Sequence, residues 1–553
     1  MALSRLAFPD SLPVMEPAVR CTPRRPAAPT LFVECTLTYQ HDFNTGIQRV
    51  VRNILRHSAA VAATHGYQVV PVVLENGQFF SADAGRVLGH KQRPDEVLER
   101  EASLTAEPES ASAEAASAAR RPSLARTLWH LALRGLASLL PFERAHRFLY
   151  APPDRFGLAH CLALKWLPAR PVAATPTAMP ASLPLVPGFA EPVSLDAFDD
   201  LEGCLLLLLD ASWPLPIWPA VERFKARGGH VAGVVYDLIP ITHPATCAGE
   251  ATAVFASWIR NHRRHSDALV CISRSVATQL RAFLQADVVT GAPDGGVPIN
   301  HFHLGSELDL IDPVEGIRPG FGTPFETDAP VFLMVGSIEP RKNHGFVLDA
   351  FDRFWGQGGQ ATLVVVGRQD WNSERLLARI AGHDQLGQQL FVLRDASDAE
   401  LDHGYRHASA LVIASEAEGF GLPIVEAFQH GLPILCSDIP VFREIADRRA
   451  TFFDLAIADN LTVALTAFCR RHERWNRWIR QPQRRLDRHT NPLSRALLSL
   501  YRAAERRHRT RRPQPWLNWH ESTAQLIGAV IRRHSLVEGK PDRDNAPSVQ
   551  PMA

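Results

Sequence analysis

The sequence is short of several things, and each absence narrows what the chain can be. No stretch approaches the ~20 apolar residues of a membrane-crossing helix; the nearest, Leu205–Leu209, is stopped by Asp210. The opening residues MALSRLAFPDSLPV hold no apolar core of signal-peptide length before Pro13, so a cytoplasmic location is expected. The eight cysteines are scattered, with no C-x-x-C pair. They read as reduced, mostly buried thiols, and a zinc site is not expected. A net charge is also missing. The 59 basic and 58 acidic residues leave +1, which gives no global field for a nucleic-acid partner.

What is present is a chain of 553 residues, enough for two or three domains of roughly 150–200 residues. Residues 1–30, rich in Pro and Arg, are expected to be irregular. Then Leu31–Leu37 reads as a strand, His41–Gly46 as a turn, Ile47–His57 as an amphipathic helix and Tyr67–Leu74 as a second strand. This is a β-turn-α-β unit, the element of a parallel sheet. The pattern breaks over 90–200, which reads as an insertion. Its first part has too few large apolar residues to pack, its middle (122–149) is basic and leucine-rich, and its end is loop-like and rich in Pro and Ala.

Alternation resumes at Cys204–Leu209 and closes a first domain spanning 31–304. A linker rich in Gly and Pro follows over 305–329. The second domain, 330–510, is the cleaner half. Val331–Gly336, Thr362–Val366, Leu390–Leu393, Ala410–Ala414 and Pro433–Cys436 are continuous apolar runs, as parallel strands buried on both faces require. The fold class is α/β: two doubly wound, Rossmann-like halves facing a cleft, with ligands at the carboxyl ends of the strands. A disordered tail is expected over 536–553, and the Arg-rich stretch 470–512 has no assigned role.

Four segments carry chemistry. The strongest is Ser415-Glu-Ala-Glu-Gly-Phe-Gly-Leu-Pro-Ile-Val-Glu426, after a strand and at the opening of a helix. Pro423 suits the first helical turn, and Gly419 and Gly421 allow the backbone close to a ligand. Free N–H groups at the helix start make an anion site. Glu418 and Glu426 flank it, and carboxylates repel phosphate, so they fit hydroxyl groups of a ribose and a sugar. The second segment is Gly336-Ser-Ile-Glu-Pro-Arg-Lys-Asn343. Arg341 and Lys342 stand where the strand empties into the cleft, able to neutralise a diphosphate leaving group. The third is Asn44–Arg49, where Gly46 permits close approach. The fourth is Val235–Pro240, whose Tyr236 and Asp237 end a strand and are expected to point into the cleft, Asp237 towards an acceptor hydroxyl.

These segments resemble glycosyltransferase family 4, retaining enzymes of the GT-B fold. The second half carries the family's G-x-x-E-P-R-K-N segment and its Glu, seven residues, Glu motif. Cys271–Ser275 and His303–Gly305 match more loosely, and Pro515–Ala524 is similar to a helix (511–535) that crosses back onto the first domain. The resemblance implies a nucleotide-diphosphate sugar as co-substrate and no metal or other cofactor. It implies a saccharide or lipid-linked acceptor and work on bacterial surface polysaccharide, with mannosyl or rhamnosyl transfer. By residue, Glu418 would lie beside the donor sugar and Glu426 would bind the ribose. Gly419, Phe420, Gly421 and Leu422 would line the donor with Gly336, Arg341 and Lys342 would hold the diphosphate, and Gly46 would admit it. Two positions depart from the family pattern: Tyr236 stands where many members have His, and Ser337 where many have Arg. A nucleotide-sugar epimerase of the same fold and a non-catalytic nucleotide-sugar-binding protein are the alternatives. Segment 122–149, a basic helical stretch with a broad apolar face, has two readings: its leucines pack on the first domain with the arginines solvated, the commoner use of such a pattern, or it docks among anionic headgroups on the inner face of the cytoplasmic membrane.

Overall fold

The computed structural model describes residues 25–41, 45–88, 192–247, 251–286, 296–308, 316–486 and 516–537, with side chains to 473 in the long helix near the end and to 532 in the last. The leucine-rich segment 122–149, most of the insertion, most of the Arg-rich stretch and the tail 538–553 lie outside the described residues.

Two sheets form. In the first half the elements run β1 (Thr30–Glu34), α1 (Thr36–Gln40), α2 (Gly46–Ala63), β2 (Gln68–Glu75), β3 (Gln78–Ser81), α3 (Ala84–Leu88), β4 (Leu205–Leu208), α4 (Trp218–Ala226), β5 (His230–Val235), α5 (Ile239–Thr242), α6 (Ala251–His265), β6 (Ala268–Cys271), α7 (Arg274–Ala286) and β7 (Ile299–His301). The sheet order is β3-β2-β1-β4-β5-β6-β7, parallel except for the β2–β3 hairpin.

In the second half they run β8 (Val331–Val335), α8 (His344–Gly356), β9 (Thr362–Val366), α9 (Glu374–Ala381), β10 (Leu390–Leu393), α10 (Asp398–His407), β11 (Ala410–Ile413), α11 (Leu422–Gln429), β12 (Ile434–Ser437), α12 (Pro440–Ala446), β13 (Ala450–Phe453) and α13 (Asn460–Leu486). All neighbours in the order β10-β9-β8-β11-β12-β13 are parallel. The order reverses between β1 and β4 in one sheet and between β8 and β11 in the other, so each half opens a crevice there.

Every residue of β1, β4, β9, β11 and β12 is buried, because helices cover both faces. The structure adds three edge strands to those expected: β3, β7 and β13. It also ends the first strand at Glu34, so Thr36 and Leu37 belong to α1. The close of the insertion is packed: Val193 joins Ser81 through backbone hydrogen bonding, and Leu195 and Phe198 are buried on the first sheet.

The last helix, α14 (Trp519–Val537), lies against α2 of the first half. Leu526 and Ile527 are fully buried in the first core, each contributing about 1.5–3 kcal/mol relative to exposure. That same apolar cluster takes in Phe420 and Val425 of the second half, so the two halves share core across the cleft. Among the described residues no helix is long and apolar enough to cross a membrane.

Candidate active site

The loop leaving β8 is laced to the loop leaving β9. Ile338 N–H donates to Arg368 O (2.8 Å) and Asp370 N–H to Ile338 O (3.1 Å). Pro340–Lys342 then make one tight turn, and Asn343 takes φ +58°, left-handed backbone that Asn tolerates, before α8 starts. This turn sets Arg341 and Lys342 beside the loop leaving β11, to which Glu416 N–H ties it (2.9 Å to Arg341 O). Arg341 Nη1 donates to Ala417 O (2.8 Å) and lies 3.0 Å from Glu418 Oε2; its Nη2 donates to Glu339 Oε1 (2.6 Å). Lys342 Nζ and Ser415 Oγ both donate to Glu418 Oε1, the latter at 2.8 Å. Ser337, in the family's Arg position, donates to Glu339 instead (2.9 Å).

The electrostatics follow from this packing. Burial alone would raise the Glu418 carboxyl, but the Lys342 and Arg341 charges outweigh it and hold Glu418 down at about 2. Arg341 is half-buried, and although desolvation opposes its charge, Glu418, Glu339 and Asp237 push its pKa further up. Glu418 thus does something its spacing did not show: it is the counter-ion of both cations.

The glycines of the next turn serve different neighbours. Gly421 has φ +99°, and a Cβ there would lie 2.8 Å from the Phe442 ring. A Cβ on Gly419 would lie 2.1 Å from the carbonyl oxygen of Tyr236. The close approach expected of Gly419 with a ligand is made here by the first half's backbone, and Ser273 Oγ closes it with a bond to Gly419 O (2.8 Å). Phe420 is buried edge-on to His303. Leu422, at the start of α11, sits 3.8 Å from where a Cβ of Gly46 would be, so Gly46 seats a side chain of the opposite half. Asn44 lies outside the described residues; Gly46 and Arg49 open α2 behind a Thr45–Gln48 capping box. Gly336 leaves β8 with φ +145°, its α-carbon facing the Lys342 chain.

Glu426 is 1% exposed. Arg49 Nη2, from the first half, lies 2.9 Å from its Oε1, and the Tyr405 hydroxyl donates to Oε2 at 2.6 Å. The carboxylate that resemblance assigns to a ribose is held by two protein donors.

Across the crevice the expectation for Tyr236 is corrected. Its ring is buried in the first core and its hydroxyl donates to Leu209 O (2.7 Å), because strand alternation turns it inward. Asp237 is half-buried; its Oδ1 accepts from Ile239 N–H (3.0 Å). Burial raises its pKa against the opposing Ile239 bond and Arg341 charge, and Glu418 and Lys342 also act on it. So Asp237 does face the Arg341–Lys342–Glu418 cluster.

A second carboxylate group went unread. Glu34 ends β1 and Asp210 follows β4, at the first half's order reversal, both buried. Thr36 N–H donates to Glu34 (2.9 Å), and Thr38 N–H to Asp210 (2.6 Å). Burial, then Asp210, pushes Glu34 up to about 7. Also missed were Glu339, Arg49, Ser273, Tyr405 and Glu444. The first two were visible in the quoted segments as charges beside a glycine turn. Tyr405 and Glu444 have no local signal, since each meets its partner only through the fold. Among the described residues no three His, Cys, Asp or Glu are grouped to hold a metal ion.

Comparison with known proteins bears on this geometry. Residues 321–482 match the family model "Glycosyl transferases group 1", a span that holds the loops leaving β8, β9 and β11. The serotype-specific mannosyltransferase WbdA of Escherichia coli is 37% identical over 235 residues, 42% of this chain and 29% of that protein. The O-antigen chain mannosyltransferase RfbU of Salmonella typhimurium is 34% identical over 122 residues, 22% of this chain and 33% of that one. The match thus spans less than a third of WbdA's length and about a third of RfbU's. Among solved structures, Anabaena Alr3699/HepE in complex with UDP and glucose aligns over 91% of this chain and 99% of that one, at 11% identity and TM-score 0.43.

Proposed function

We propose that this chain, built around a group 1 glycosyltransferase domain, transfers a hexose from a nucleotide-diphosphate sugar to a saccharide or lipid-linked acceptor in bacterial polysaccharide synthesis. Mannose is the first candidate, since WbdA and RfbU are named mannosyltransferases. The observation that carries the reading is the cluster of Arg341, Lys342 and Glu418 at the β8–β11 reversal, with Asp237 opposite.

In this structure Glu418 balances the two cations. An arriving diphosphate takes over Arg341 and Lys342, assisted by the N–H groups that open α11, and Glu418 turns to the hydroxyls of the sugar. The bond from the anomeric carbon to the phosphate oxygen then breaks, and the negative charge grows where the cations already stand. The acceptor oxygen bonds to the anomeric carbon on the same face, and its proton passes to the departing phosphate; the anomeric configuration is retained. Asp237 orients the acceptor hydroxyl. Fixed cations supply the neutralisation, so transfer proceeds without a divalent ion. The basic, leucine-rich sequence at 122–149 supports work at the inner face of the cytoplasmic membrane, which salt-sensitive cosedimentation with anionic vesicles would register.

The test incubates the protein with a panel of nucleotide-diphosphate sugars, with and without oligosaccharide acceptors, in EDTA, and reads the products by NMR. Acceptor-dependent release of nucleoside diphosphate with a retained linkage is expected. Conversion of donor alone into an epimer would overturn transfer, and activity lost in EDTA and restored by Mg²⁺ or Mn²⁺ would overturn the metal-free mechanism.

A further inference from the structure

Arg49 belongs to the first half, yet its guanidinium crosses the crevice to the second. It stands one turn into α2, where a cation is disfavoured by the positive end of the helix dipole. It lies 2.9 Å from Glu426 with side chains only 12% and 2% exposed. The seat is specific: Gly46, one turn earlier on α2, receives Leu422 at the start of the helix that bears Glu426.

We propose that Arg49 is a positioning residue of the donor site, supplied by the opposite half: it orients and neutralises Glu426, so the nucleotide-sugar site is complete only when the halves are closed. This rests on the function proposed above. Two considerations support it. The first is geometric. A carboxylate offers about four acceptor positions, and here Arg49 takes one on Oε1 and Tyr405 one on Oε2. Each oxygen keeps one acceptor position in a fixed orientation, which fits the two hydroxyls of a vicinal diol such as a ribose presents.

The second is charge. Around the second-half loops, three carboxylates (Glu339, Glu418 and Glu426) face two cations (Arg341 and Lys342), an excess of one negative charge. Counting Asp237 as charged enlarges that excess. A diphosphate would meet net repulsion there. Arg49 restores the balance at Glu426, leaving Arg341 and Lys342 to serve the diphosphate. Arg49 and Glu426 stand on opposite halves, so an opening that parts them loses the pair, and donor binding and closure then favour one another by the same free energy.

The experiment compares wild type, R49A, R49K, E426Q and R49A/E426Q. Calorimetry measures binding of ADP, GDP, UDP and dTDP, steady-state assays separate KM for the donor from kcat, and thermal melting checks the fold. R49A is expected to weaken nucleoside diphosphate binding and raise donor KM about tenfold or more, while kcat changes by a few-fold at most. R49K should recover part of the loss, since it keeps the charge but not the planar fork. The double variant should be no worse than the poorer single one, as two members of one unit are not additive. Unchanged or tighter binding by folded R49A would overturn the proposal, marking the ion pair as a latch or a plug. Additive losses would overturn it too. Wild-type protein that binds none of the diphosphates would sink the function reading itself, and is told apart by failing before any variant is compared.

Discussion

Each sheet places a carboxylate at its order reversal, and the two behave oppositely. Glu418, in the second half, has Lys342 and Arg341 against it and is held down at about 2. Glu34, in the first half, has Asp210 against it and is pushed up to about 7. Both are removed from water, so desolvation acts alike on both. The neighbours decide the sign. The second-half crevice is a place of fixed charge, suited to receive and release an anion. The first-half crevice sets two buried acids against each other, and that pair holds the turn from β1 into α1 by accepting the Thr36 and Thr38 N–H groups. Under the proposed function, one carboxylate therefore belongs with turnover and the other with the turn from β1 into α1.

The largest effect that would break this comparison is kinetic. Glu418→Gln is expected to lower kcat by about 10² or more while the protein stays folded, because a neutral amide cannot balance Lys342 and Arg341 or answer charge that grows in the transition state. Glu34→Gln, in the same assay near neutral pH, is expected to stay within a few-fold of wild type. Equal kcat for wild type and Glu418→Gln, or a hundredfold loss from Glu34→Gln at unchanged stability, would reverse the roles given to the two crevices.

Legibility also differs between the halves. The second half was readable because its strands are uninterrupted apolar runs: Thr362–Val366 and Leu390–Leu393 were expected with the bounds they have. Its loops also keep charge and glycine together within a dozen residues, so Arg341, Lys342 and Glu418 could be named without the fold. Three of the four edge strands of the two described sheets were not readable. Gln78–Ser81, Ile299–His301 and Ala450–Phe453 are three or four residues long and owe their extended form to one neighbour each. Tyr236 misled because the end of a strand was taken to face the cleft, whereas alternation sends its ring into the core and leaves Asp237 outside. The contacts between halves were invisible for a plain reason. Arg49 and Glu426 are 377 residues apart, and no local pattern encodes such a pair.

The next effect is on stability against pH. Glu34 is raised above its unfolded value of 4.5, so the folded state holds a proton that the unfolded state releases. Its contribution is fully present below about pH 4.5 and is lost as pH rises through about 7. Urea unfolding of the wild type should show this decline, on the order of a few kcal/mol, and Glu34→Gln should flatten it because the amide has no proton to lose. A wild-type curve with no such decline, or a variant curve that keeps it, would show that burial and Asp210 do not hold a proton on Glu34 in the folded state.

The smallest expected effect concerns the edge of the crevice, where a third carboxylate has the opposite environment to Glu34. Glu444 of α12 accepts from Arg274 N–H (2.8 Å), Ser275 N–H (2.8 Å) and Ser275 Oγ (2.7 Å), and meets His303 Nε2 at 2.8 Å. It thereby caps α7 of the opposite half. Burial would raise its pKa, but these bonds hold it down at about 2. The sign is that of a depressed acid: the stabilisation is present above pH 4.5 and is lost as pH falls from there to about 2. Its size should be modest, on the order of 1 kcal/mol, because His303 is 39% exposed and solvent screens the site. Glu444→Gln should remove that acid limb from the unfolding curve and leave the decline between about pH 4.5 and 7 due to Glu34 in place. Since the two groups respond on opposite sides of about pH 4.5, one pH series on the two variants resolves both. A Glu444→Gln protein with the wild-type acid limb would mean that this contact between the halves does not persist in solution.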